Sequence, residues 1–269
     1  MFLPTTIKEV RERGWDQLDV IFFSGDAYID HPAFGAAVVG RLLEAEGYRV
    51  AIVPQPNWRD DLRDFTKLGV PRLFFGVSGG SMDSMVNHYT ANLRLRHDDA
   101  YTPGGKAGFR PDHAVTVYSQ LLKRLYPHVP VVIGGIEASL RRLTHYDYWS
   151  DALKPSILAD SGADLLIYGM GERVVQEVAR AMRNGYNAKL LRKIRQVAFL
   201  SDENYVARLD PATTIRLNSY EECLRSKAAF GENFKVIETQ SNLMEPEATL
   251  VEAVGDRYTV VTPATTTPP

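Results

Sequence analysis

Four short segments of this 269-residue chain combine glycine with polar side chains: Ser24-Gly25-Asp26, Ser78-Gly79-Gly80-Ser81, Gly134-Gly135 and Gly169-Met170-Gly171-Glu172. Each follows an apolar run. Glycine at such a place lets a ligand approach the backbone, and the N–H groups that open the next helix can receive an anion. One such glycine is usually a tight turn. Four of them at successive strand ends favour a crevice that holds a ligand. None reads G-x-G-x-x-G or as a Walker sequence, so no nucleotide class is fingerprinted.

Other reactive side chains cluster nearby. The loop Gly25–Pro32 carries Asp26, Tyr28, Asp30 and His31, a set that could bind a metal or move a proton, or could cap the helix that begins near Ala33. After Gly135 come Glu137, Ser139, Arg141 and Arg142, then the aromatic and acidic run His145–Asp151. The arginines suit a carboxylate or phosphate held bidentately, or a surface ion pair. A polar insertion from about Asp83 to Arg110 holds His88 and His97, with His113 just beyond it, and reads as a lid or a solvated loop. Its spacing matches no compact metal motif, and no metal site is expected. Cys223 is expected to be a small buried apolar residue.

The elements that must position these groups follow one rhythm. Leu18–Phe23, Arg49–Val53, Leu73–Val77, Val131–Ile133 and Ala163–Tyr168 are continuous apolar runs, as strands of a parallel sheet covered on both faces should be. Between them lie helical patterns at 33–46, at 60–67, from Pro111 onward, and at 172–183. The pattern predicts an α/β fold: a doubly wound, mostly parallel, five-stranded sheet over residues 1–190, whose ligand crevice lies at the carboxyl ends of the strands. Residues 191–269 change character. Short strands at 196–200 and 204–209, a helix from Ser219 to about Phe230, a hairpin around Gly255-Asp256 and a polar Pro-rich tail suggest a small α+β appendage or connector.

Bulk composition narrows the function. The apolar fraction is 45%, the charged fraction 24% and the net charge −2, which describes a globular protein with no electrostatic pull toward nucleic acid or an anionic membrane. No apolar run reaches membrane-span length, the amino terminus lacks a signal-peptide centre, and a cytoplasmic protein is expected. One cysteine excludes an internal disulfide and, within these residues, a cysteine-ligated iron–sulfur cluster.

Several long blocks share a pattern with a known family: GDAYIDHPAFGAAVVGRLLEAEGYRV, LFFGVSGGSMDSMVNHYTA, LRHDDAYTPGG, VIGGIEASLRRLTHYDYWSD, YGMGER and, more loosely, GDRYTVVTP. They resemble the amino-terminal region of YgiQ-type radical SAM proteins, closely over about residues 1–200. The resemblance implies a flavodoxin-like, cobalamin-binding-like domain ahead of a barrel whose CxxxCxxC loop holds a 4Fe-4S cluster and S-adenosylmethionine. No CxxxCxxC occurs here, so no cofactor is expected in this chain, and its expected partners are that barrel and an unidentified substrate. The cobalamin signature D-x-H-x-x-G is also absent; the nearest segment reads Asp30-His31-Pro32-Ala33-Phe34-Gly35. Histidine-ligated cobalamin is therefore not expected, while a histidine-off mode stays open. Two other readings remain: a free-standing cobalamin- or nucleotide-binding module, and a metal-dependent hydrolase built on Asp26, Asp30, His31 and the loop histidines.

Overall fold

The computed structural model describes residues 2–185 and 191–265. Five parallel strands form one half of the sheet: β1 (Val20–Ser24), β2 (Val50–Pro54), β3 (Phe74–Ser78), β4 (Val131–Gly134) and β7 (Leu165–Ile167), in the order β2-β1-β3-β4-β7. The register is even across the first three, with Ser24 opposite both Pro54 and Ser78, and Ser78 opposite Gly134. The polar residues that end these runs therefore emerge side by side along one edge.

Apolar side chains on both faces explain why the runs are unbroken. Ile21 and Phe23 point into one core with Phe65, Tyr118 and Leu122, while Val20 and Phe22 point into another with Leu43, Val175 and Val178. Phe23 stacks on Phe65 at 5.2 Å and meets Phe75 edge-on at 5.8 Å. Each such buried side chain contributes about 1.5–3 kcal/mol. The helices Gly35–Ala45 and Glu172–Arg183 cover the second face, and Ala114–Leu125 covers the first. The helix after β1 and the helix before β4 thus lie on opposite faces, which is how a doubly wound sheet opens a crevice between its strand ends.

The residues after 191 do not stand off from this sheet. β8 (Val197–Ser201) pairs antiparallel with β7, β11 (Arg257–Val261) with β8, and β10 (Thr249–Val254) with β11. β9 (Thr214–Arg216) lies parallel to β10 at the far edge. Among the described residues the sheet has nine strands, not the five expected. The reason is visible in β8: all five of its residues are buried, so it needs a hydrogen-bonded neighbour on both sides. The boundary expected at 190 falls beside residues 186–190, and the end of the Pro-rich tail at 266–269; both stretches lie outside the described residues.

Two local expectations are corrected. Residues 204–209 are not a strand; a helical turn spans Glu203–Val206, because Asp202 accepts the Tyr205 N–H at 2.9 Å and caps it. The helix from Ser219 is two helices, Tyr220–Arg225 under a Ser219–Glu222 capping box and Lys227–Ser241 under a Ser226 cap. The aromatic run after Arg142 is a hairpin, β5 (His145–Asp147) against β6 (Ala152–Lys154).

Candidate functional site

A cavity of about 270 Å³ opens at the carboxyl ends of β1, β3, β4 and β7, between the helices Gly35–Ala45 and Glu172–Arg183. Phe22, Phe74, Val132 and Ile167 form its floor, and Val39 and Val175 face each other from the two helices. Ser78, Gly134, Gly135, Gly169, Gly171 and Glu172 stand around its mouth. Gly76 makes the floor possible: a Cβ there would sit 2.2 Å from the Phe22 ring. Apolar walls with a few polar groups at the rim describe a small-molecule site. No lysine or arginine among the described residues lines it, and Glu172 puts a carboxylate at the mouth, so the arrangement suits an uncharged apolar or ring-bearing group better than a polyphosphate.

Gly25, Gly79 and Gly80, together with Gly135 of the rim, pack in a knot of backbone beside the cavity. Gly25 N–H donates to Ser78 O at 3.0 Å, and a Cβ on Gly25 would meet Gly79 O at 2.0 Å. Gly79 faces the Glu137 carboxylate, and Gly80, at φ +109°, faces that of Asp26. Gly135, at φ +81°, packs on Ser78 Oγ. Lack of a side chain at Gly25, Gly79 and Gly80 thus lets one strand end approach another.

The charged residues beside the knot are also turned inward. Asp26 Oδ2 accepts the Ser81 N–H at 2.7 Å, and its Oδ1 lies 3.1 Å from Arg110 Nη2 without the alignment of a hydrogen bond. Arg110 is fully buried; it donates to both oxygens of Asp99 and to Gly79 O. Glu137 accepts Ser84 N–H at 3.0 Å and Val115 N–H at 2.8 Å, so one buried carboxylate caps the starts of two helices, Ser84–His88 and Ala114–Leu125. Arg141 pairs with Asp83, which itself caps Ser84–His88 through Met85 N–H. The carboxylate that Arg141 holds belongs to this chain. The polar insertion is accordingly a clamped segment: Arg110 and Asp99 pin it, and Ala27 N–H donates to Tyr101 O at 2.9 Å.

The first loop points elsewhere. Tyr28 OH accepts Leu3 N–H at 3.1 Å, and Asp30 is held by Arg41, a bond that keeps its carboxyl below the usual range. His31 Nδ1 accepts Ala33 N–H at 3.1 Å, which is local capping, and its ring is no part of the cavity wall. Ser24 Oγ accepts Asp26 N–H at 3.1 Å. Ser139 bridges the rim, donating to Gly135 O at 2.7 Å and accepting Gly169 N–H at 3.0 Å. Among the described residues no three His, Cys, Asp or Glu side chains are close enough to share a metal ion. Cys223 is buried, with Asn233 donating to its sulfur at 3.3 Å, and burial pushes its thiol up to about 11. One buried thiol does not fit a cluster that needs three thiolates.

Sequence reasoning passed over Arg110 and Asp83 as anchors, and over the apolar cavity floor. A signal did exist for Arg110, a cation placed where a long insertion re-enters the core.

These features define an α/β domain with an apolar crevice at the carboxyl edge of a doubly wound sheet. The radical SAM N-terminal family matches residues 2–268, and the chain belongs to it. A UPF0313 protein of Porphyromonas gingivalis is 60% identical over 263 residues, 97% of this chain and 41% of that protein. One from Bacteroides thetaiotaomicron is 57% identical over 273 residues, 97% of this chain and 44% of its own length. The chain thus spans about two fifths of the length of these two relatives. A solved radical S-adenosylmethionine methyltransferase, TsrM, from Kitasatospora setae, with tryptophan substrate and a SAM analog bound, is similar at TM-score 0.43 and 18% identity, over 67% of this chain and 28% of its own. No helix among the described residues is long and apolar enough to cross a membrane.

Proposed function

We propose that this chain is the amino-terminal ligand-binding domain of a YgiQ-like radical SAM protein. The iron–sulfur cluster and S-adenosylmethionine would be held by polypeptide outside these residues, and the strand-end crevice would hold or cover the substrate against that polypeptide. The apolar cavity at the carboxyl edge carries the reading. Its walls offer burial, and its rim offers Ser78 and Glu172 for orientation. What this chain supplies is binding and exclusion of water; the radical chemistry would belong to the cluster and its SAM.

Two measurements test this. Iron, sulfide and SAM-cleavage assays on this chain should find none of the three, and cleavage by this chain alone overturns the domain assignment. Fluorescence titration with indole, adenosine, SAM and hydroxocobalamin should give saturable binding of at least one ring compound, lost in Ala36→Trp, which fills the cavity from the helix side. If no probe saturates, or if Ala36→Trp changes nothing, the crevice is not the ligand site.

A further inference from the structure

A second, smaller cavity lies on the other face of the sheet. It holds about 40 Å³ between Arg142, Tyr168, Gln240 and the rim-side ends of β10 and β11. Tyr168, Leu250 and Val261 belong to the core opposite that of Ile167 and Val175, so the sheet separates the two cavities.

The chemistry of its lining is unbalanced. Arg142 donates Nη1 to Ser139 O at 2.7 Å and Nη2 to Ser241 Oγ at 3.3 Å, and its guanidinium lies 5.0 Å from the centre of the Tyr168 ring. Its Nε is buried with no acceptor, and no carboxylate among the described residues pairs with it. Burial pulls its basicity down, with no acid to restore it. Arg195 stands behind the lining and bonds only carbonyls, those of Pro246 and Ala264, two residues that line the cavity. Gln240 Oε1 is buried there without a donor, and a half-turn of its amide would present the NH2 group instead. Arg142 is half-buried, and a guanidinium drawn that far from water normally keeps an acid beside it, because an unpaired charge is costly to desolvate.

We propose that this cavity is a carboxylate-binding site, in which Arg142 Nε and the Gln240 amide donate to the two oxygens and Arg195 supplies the second positive charge. Size sets the class. One water needs roughly 10–15 Å³ of such space, so the cavity fits a carboxylate group and is too small for a phosphorylated sugar. The carboxylate belongs either to a free small acid or to an Asp or Glu side chain of the polypeptide that the longer relatives carry beyond this region. The site does not depend on the crevice reading.

The test follows the Arg142 Nε–H signal in nitrogen-15 correlation spectra of the whole chain. It is titrated with acetate and with the blocked peptide acetyl-Gly-Glu-Gly-amide, each against chloride at constant ionic strength. The signal should move saturably with acetate if the source is a free acid, or with the peptide alone if it is a side chain. Arg142→Gln should abolish the response. Should that variant not fold, Arg195→Gln, which removes the second charge, should weaken binding about tenfold, the worth of one charge-assisted contact. A signal that stays fixed with both probes, that moves equally with chloride, or whose response is unchanged in Arg195→Gln overturns the proposal.

Discussion

Arg110 and Asp99 face each other as a fully buried bidentate pair, Nε to Oδ2 at 3.1 Å and Nη2 to Oδ1 at 3.1 Å. The pair lies eleven residues apart in the polar insertion, yet its third bond, Arg110 Nη1 to Gly79 O at 3.0 Å, reaches the end of β3. It therefore fastens the insertion onto the strand-end knot. Removing one member of such a pair leaves the other charge buried and alone. Arg110→Met should cost about 3–5 kcal/mol, read as a lower urea midpoint. Replacing both members, as Arg110→Met with Asp99→Leu, should recover part of that loss. If Arg110→Met alone keeps the midpoint, the insertion is not held this way.

Gly25 and Gly35 make a matched comparison, since both lie near the crevice. A Cβ on Gly25 would sit 2.0 Å from Gly79 O, a backbone atom that cannot step aside without separating β1 from β3. A Cβ on Gly35 would meet nothing within 4 Å, and Gly35 opens a helix where alanine is favoured. Gly25→Ala should therefore destabilise by about 3 kcal/mol or more, and Gly35→Ala should be neutral or slightly stabilising. Thermal unfolding of the two variants side by side checks this; equal melting temperatures would remove the argument for a packed knot.

The parallel half of the sheet was legible because its strands are buried on both faces and so read as unbroken apolar runs ending at glycine. The polar strand ends fall along one edge, because the even register of β1, β3 and β4 places Ser24, Ser78 and Gly134 in a row. Which of their neighbours face a ligand was not legible. Glu137 sits where a ligand-binding carboxylate would, but the starts of two other helices reach it first, and that depends on packing between elements far apart in sequence. The antiparallel half was read as an appendage because β9 and β8 are short and separated by helices; only hydrogen bonding to β7 and β10 reveals that they extend the same sheet.

The crevice floor predicts an asymmetric response to added volume. Ala36 lines the open cavity and is half-buried, so Ala36→Trp adds buried apolar surface where space of about 270 Å³ exists. Its melting temperature should hold or rise by a few degrees. Ala138 is fully buried in the opposite core and lines no cavity of this kind, and Ala138→Trp should unfold the protein or cost more than about 3 kcal/mol. Comparable losses for both would mean the cavity closes in solution.

Glu252 and His145 give stability two opposed pH dependences. Glu252 is fully buried on β10; burial pushes its carboxyl up to about 7, although its Oε2 accepts Thr144 N–H at 2.8 Å. The unfolded chain releases this proton near its ordinary value of 4.5. Between those values the unfolded state binds fewer protons, so stability falls as pH rises through the window and is level above it. His145, whose ring is pushed down to about 4 by burial, does the reverse: the unfolded chain takes up its proton near 6.5, and stability falls as pH drops from there toward 4. Glu252→Gln keeps an acceptor for Thr144 N–H and replaces the acid's proton with an amide donor, so it removes only the first effect. Its stability relative to the parent chain should be unchanged near pH 4.5 and greater by about 2–3 kcal/mol at pH 8. Urea midpoints across that range measure the difference directly, and a difference independent of pH would show that Glu252 does not titrate between its folded and unfolded values.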